Sequence, residues 1–199
     1  MTDKTDLTAL LGSRICHDLI SPIGAIGNGV ELLMMDGSGR SPELALIADS
    51  VAHANARIRF FRVAFGAAGT SEQRIGRTEV VGVLSDLTRG GRLTIEWQTP
   101  ADLSRREVKL AFLAIQCLES AMPHGGSITA ERGDTRWTLR GETARLRVDA
   151  DLWESLSNPA TGVEITPSHV HFALLREEIA RQHRRLTVDV REGEVRLHF

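Results

Sequence analysis

No apolar run in this 199-residue chain approaches the roughly 20 residues that a helix needs to span a bilayer, so no membrane segment is expected. The opening residues, MTDKTDLTALLG, lack a secretory leader's basic start and apolar core. An excess of one charge is also missing: 24 Lys and Arg face 26 Asp and Glu, a formal net charge of -2. A nucleic-acid binder needs a concentrated basic surface, and this balance argues against one. Cysteine is scarce. Cys16 and Cys117 stand far apart, form no metal-ligand spacing and suit a reducing cytoplasm. Tyrosine is absent, which excludes nothing by itself. The rest is ordinary: 42% hydrophobic and 25% charged residues, enough for one generous domain or two small ones.

The first third reads as a helical hairpin. From Leu7 to about Met35, apolar residues recur at Leu11, Ile15, Leu19, Ile23, Ile26, Val30 and Leu33, a helical period. Asp36 to Arg40 is a turn segment rich in glycine. Ser41, Pro42 and Glu43 then give a capping hydroxyl, a proline at the first helical position and an acid near the positive helix end. The second helix carries Leu44, Ile47, Val51, Ala54, Ile58, Phe61 and Phe65, a heptad seam. A hairpin alone leaves much of this surface wet, and two hairpins make a four-helix bundle. A homodimer through this segment is expected, with a bundle closed by later helices as the alternative.

Gly66 to Gly76 looks like a linker, which divides the chain into a hairpin domain, 1–68, and a second domain, 69–199. In the second domain, Thr78 to Leu87 reads as a helix and Leu93 to Trp97 as a strand. Ser104 and Glu107 form a capping box ahead of a helix carrying Val108, Phe112, Ile115 and Leu118. Three strand-like runs follow: Ser127 to Glu131, Thr135 to Arg140 and Ala144 to Val148. A helix is expected from about Ser168 to Gln182, then a hairpin pairing Leu186–Val190 with Val195–Phe199 across Glu192-Gly193. The fold class is α+β, with an α/β sandwich after the hairpin.

The chemistry centres on Arg14-Ile15-Cys16-His17-Asp18-Leu19-Ile20-Ser21-Pro22. His17 sits about 200° around the helix from both Ile15 and Leu19, so it should face solvent while they face the core. Arg14, Ser21 and Gly24 share its face. Serine and glycine leave room for a partner, and arginine offers a cation to a phosphoryl group or an acidic partner. A largely neutral imidazole can attack phosphorus, and Asp18 can orient the ring or accept its proton. Charge developing on the phosphoryl group would be met by Mg²⁺ and a lysine brought by the partner. An exposed histidine alone is usually only solvated, so the surrounding motif carries the weight. His169-x-His171 could suggest a metal pair, but i and i+2 on a helix point apart and no third ligand is evident, so no metal is expected.

His17-Asp18-Leu19-Ile20-Ser21-Pro22 resembles the H-box of sensor histidine kinases, and CHDLISPIGAIGNGVELL is similar to the start of ChpT-type histidine phosphotransferases. The resemblance spans the chain: hairpin, linker, then a domain like a kinase ATPase domain. It implies that His17 takes a phosphoryl group from the receiver of a CckA-like hybrid kinase and passes it to CtrA-like and CpdR-like response regulators. Arg14, Ile20, Ser21 and Gly24 would meet the receiver.

Several departures separate the chain from a working kinase. Gln116 and Ser120 stand where a kinase's N-box helix has asparagines. Asp149-Ala150-Asp151-Leu152-Trp153 lacks the glycines of the Asp-x-Gly-x-Gly loop, and Thr161 to Pro167 replaces the next glycine-rich box. Without glycines the backbone cannot approach phosphates closely. A degenerate nucleotide site and no cofactor of its own are expected. The rival readings are an ATP-dependent histidine kinase with an atypical site, and a non-catalytic scaffold that only binds receivers.

Overall fold

A computed structural model describes residues 7–36, 42–66, 73–99, 101–158 and 160–199. Helices α1 (Leu7–Asp36) and α2 (Pro42–Ala64) form the hairpin. Next come β1 (Arg74–Ile75), α3 (Arg77–Thr88), β2 (Leu93–Gln98), β3 (Leu103–Ser104) and α4 (Arg105–Ala121). β4 (Gly126–Arg132), β5 (Trp137–Glu142), α5 (Ala150–Ser157), a 3-10 turn (Pro167–His169), α6 (Val170–Arg181), β6 (Thr187–Arg191) and β7 (Glu194–His198) complete the chain. The expected Ser41 cap, the turn after Asp36 and most of the linker lie outside the described residues.

Heptad geometry explains the hairpin. Ile47, Ala54 and Phe61 turn inward, while Leu44, Val51 and Ile58 stay exposed. The seam is therefore two stripes, one used within the chain and one left open. Gly29 marks a close approach of the two helices, since a Cβ there would lie 2.5 Å from Ile47 Cγ1.

The main sheet has the order β2-β4-β5-β7-β6, with β2 and β4 parallel and every other pair antiparallel. One face is apolar: Ile128, Ala130, Trp137, Leu139, Val195 and Leu197 all point into the core. The other is charged, with Glu194 bridging Arg140 and Arg196. That alternation lets one side meet helices and the other water. α4 covers the apolar face and buries every residue from Leu110 to Leu118. The end of α2 enters the same core, where Phe60 stacks on Phe112 at 4.7 Å.

Three sequence expectations need correction. Ala144 to Val148 is not a strand; it runs free of the ladder, with Arg147 N–H donating to the Ala121 carbonyl. The segment after it, read only for its missing glycines, is the helix α5, capped by Asp149, whose Oδ1 accepts from Leu152 N–H at 3.2 Å. The capping box is half formed. Ser104 Oγ accepts from Glu107 N–H at 3.3 Å, but the Glu107 carboxylate is drawn elsewhere, to Trp137 Nε1 at 2.6 Å, Arg132 and Arg184. The short antiparallel pairing of β1 with β3 was not foreseen.

Candidate functional site

His17 lies about a third of the way along α1 with its side chain 85% exposed, while Ile15 and Leu19 are half-buried. Its Nδ1 is 3.2 Å from Asp18 Oδ1. Asp18 is far more shielded, at 12% exposure. The imidazole thus stands in solvent on a carboxylate that is largely out of it. Pro22 falls within α1, four residues after Asp18. It lacks the N–H that would bond the Asp18 carbonyl, and its ring crowds that carbonyl, so the helix ladder is interrupted under the site.

Arg14 turns inward. Its Nε donates to Asp18 Oδ2 at 2.9 Å and its Nη1 to the Ser168 carbonyl at 2.6 Å. The i,i+4 spacing of Arg14 and Asp18 was a signal for the first contact. Nothing in the sequence signalled the second, because its acceptor is a backbone group 154 residues away. The open positions lie further along the same helix: Ile20 is 68% exposed, and Ser21 and Gly24 are exposed beside it. Ile23, expected in the core stripe, is also exposed. A Cβ at Gly24 would meet nothing within 4 Å, so the surface after His17 is low and unobstructed.

The second-domain positions are arranged otherwise. Gln116 is buried with both side-chain amide atoms unpartnered, and Ser120 Oγ donates to the Cys117 carbonyl at 2.7 Å. Ser120, Arg147, Asp149, Trp153 and His169 line an open cleft of about 450 Å³. Asp149, compared in the sequence with the acid of a kinase's Asp-x-Gly-x-Gly loop, is engaged as the α5 cap. His171 is buried with neither ring nitrogen bonded, and burial, with Arg14 and His169 adding to it, holds its pKa well below that of an ordinary histidine. His169 is shifted the same way, chiefly by burial, with Asp149 opposing. Among the described residues no cluster of His, Cys, Asp or Glu could hold a metal ion, and no helix is long and apolar enough to cross a membrane.

The geometry is thus a helical hairpin presenting an exposed histidine beside an acid, joined to an α/β layer. The comparisons identify the lineage. Residues 77–194 match the family described as "Histidine phosphotransferase C-terminal domain", and the chain belongs to that family. It is 37% identical over 182 residues to "Protein phosphotransferase ChpT" of Brucella abortus (strain 2308), covering 88% of this chain and 87% of that one. A solved structure titled "1.7 Angstrom Structure of a Bacterial Phosphotransferase" superposes with a TM-score of 0.81 at 31% identity, covering 100% of this chain and 97% of that one.

Proposed function

We propose that this chain carries a phosphoryl group on His17 Nε2 and shuttles it between receiver aspartates of a cytoplasmic phosphorelay. The observation that carries this reading is the exposed His17 ring with its Nδ1 held at 3.2 Å by Asp18. If Nδ1 bears the proton and donates to Asp18, the lone pair of Nε2 points outward. Nε2 attacks the aspartyl phosphate of the partner; the P–N bond forms as the P–O bond to the receiver aspartate breaks. The ring then gains positive charge, and the Asp18 carboxylate stabilises it. Mg²⁺ on the receiver, not on this chain, neutralises the transferred oxygens. Ile20, Ser21 and Gly24 give the receiver a low, partly apolar landing surface.

The expected donor is the receiver of a CckA-like hybrid kinase, and the expected acceptors are CtrA-like and CpdR-like receivers. The working state is a homodimer with a four-helix core: the open stripe of Leu44, Val51 and Ile58 supplies the contact surface. The domains are taken as 1–68 and 69–199, although α2 contributes to both. The second is a kinase ATPase layer without its nucleotide site, a reading supported by Gln116, Ser120 and the helix α5 in place of a glycine-rich loop.

Incubation with a labelled phospho-receiver tests the reading. We expect acid-labile label on the wild-type chain, none on His17→Gln, and full label on the control His53→Gln. Asp18→Asn should slow transfer about tenfold without abolishing it, since position and the partner's Mg²⁺ supply most of the stabilisation. Undiminished transfer in His17→Gln would overturn the assignment.

A further inference from the structure

Arg14 was expected to offer its cation to an incoming phosphoryl group, yet two of its three guanidinium nitrogens are already bonded within the chain. Nε holds Asp18 Oδ2 at 2.9 Å and Nη1 holds the Ser168 carbonyl at 2.6 Å. Arg14 and Asp18 are 18% and 12% exposed, against 85% for His17. An exposed i,i+4 ion pair does little, because water competes for both groups and long side chains resist ordering. This pair is shielded, and a third anchor fixes it.

That anchor is itself braced by local hydrogen bonds. Ser168 lies in the turn Pro167–His169, whose first residue has a ring-locked φ. His169 N–H donates to the Thr166 carbonyl at 3.0 Å, and Thr166 Oγ1 lies 2.9 Å from Ser168 Oγ and 3.2 Å from His169 Nδ1. The contacts therefore run without a gap from this turn through Ser168 O, Arg14 and Asp18 to His17 Nδ1. Both carboxylate oxygens of Asp18 are used, one toward the cation and one toward the ring. A carboxylate held in this way selects one tautomer and one orientation of an imidazole.

We infer that Arg14 is a positioning residue, through which the Ser168 carbonyl of the second domain sets the orientation and tautomer of the His17 ring. The inference rests on the phosphotransfer reading for its functional meaning, but its physical content concerns the free protein. Freed from Arg14, the Asp18 carboxylate can rotate into water, and the exposed ring loses its bias. The second domain thereby supplies a backbone group to the reaction centre on the first helix.

The test is ¹⁵N NMR of the full-length protein with its imidazole nitrogens labelled, the His17 signals being assigned by their loss in His17→Gln. In the wild type we expect predominantly the Nδ1–H tautomer. Arg14→Gln should move it to a mixture near that of free histidine, and Arg14→Lys, which keeps a charged donor, should recover most of the bias. Pro167→Gly, which loosens the turn without touching α1, should shift the signals in the same direction as Arg14→Gln but less. Transfer from a labelled phospho-receiver should fall about tenfold in Arg14→Gln, as for loss of one hydrogen bond to a charged group, with the receiver concentration at half-maximal rate unchanged. A wild-type tautomer in folded Arg14→Gln would overturn the inference, as would a loss seen only as weaker receiver binding, which would make Arg14 a docking residue. A wild-type chain that takes no label from any receiver would instead sink the phosphotransfer reading, while the tautomer result would stand.

Discussion

Helices α1 and α4 are both long and rich in apolar residues, yet they spend them differently. α4 buries everything from Leu110 to Leu118, including the polar Gln116. Among the described residues of α1 only Gly29 is buried, and Ile20, Ile23, Val30, Leu32 and Met35 are exposed. The second domain has satisfied its hydrophobic surface within one chain. The hairpin has not, and its open stripe on α2 continues the pattern. The packed core lies mainly in the second layer, while His17 sits on the element that still has apolar surface exposed.

The sharpest test of that contrast is a pair of truncations or charges, one in each region. Phe112→Ala removes a ring stacked on Phe60 and in edge contact with Trp97. It should cost about 3–5 kcal/mol in denaturant unfolding, the range for buried Phe truncations. Ile58→Asp changes a side chain that is 49% exposed within the chain. It should leave circular dichroism and the fold of the second domain intact while light scattering shows a shift from dimer to monomer, because a charge in a dimer seam is desolvated only in the dimer. A monomeric wild type at micromolar concentration, or an unfolded Ile58→Asp, would break the comparison.

A subtler probe lies where the two regions meet. His171 is buried beside Arg14 and His169, and its pKa is depressed by that burial. The folded state therefore binds fewer protons than the unfolded one. Its stabilising share is complete above the unfolded value near 6.5 and is lost as pH falls through and below it, with a slope of at most about 1.4 kcal/mol per pH unit. Urea unfolding at pH 7.5 and 5.5 should show the wild type losing stability on acidification and His171→Leu losing less. Equal losses would remove His171 from the account.

The hairpin was legible because a heptad needs only spacing, and His17 because its face follows from the same period. The division of the seam into an inward stripe and an open one was not, since Leu44 and Ile47 look alike in composition and differ only in what stands opposite. Ala144 to Val148 was misread because Leu146 and Val148 alternate like a strand while packing against the core without a ladder neighbour. The helix α5 could have been found: Asp149 is a good cap, and Leu152, Trp153 and Leu156 have helical spacing. The Arg14–Ser168 contact could not, because a carbonyl has no side-chain identity and the pairing spans 154 residues.

The sheet order has a consequence for how the chain acquires its shape. β7 lies between β5 and β6, so the hairpins β4–β5 and β6–β7 can each close locally, but the sheet joins them only through the pairing of β5 with β7. Until that late, non-local docking, the inner edge of β5 is an open row of donors and acceptors flanked by Trp137 and Leu139. α1 and α2, joined by a short connection, can zip together far sooner. A newly made chain thus has the helix that carries His17 assembled while its sheet is still two pieces, and that interval is when it is most exposed to aggregation.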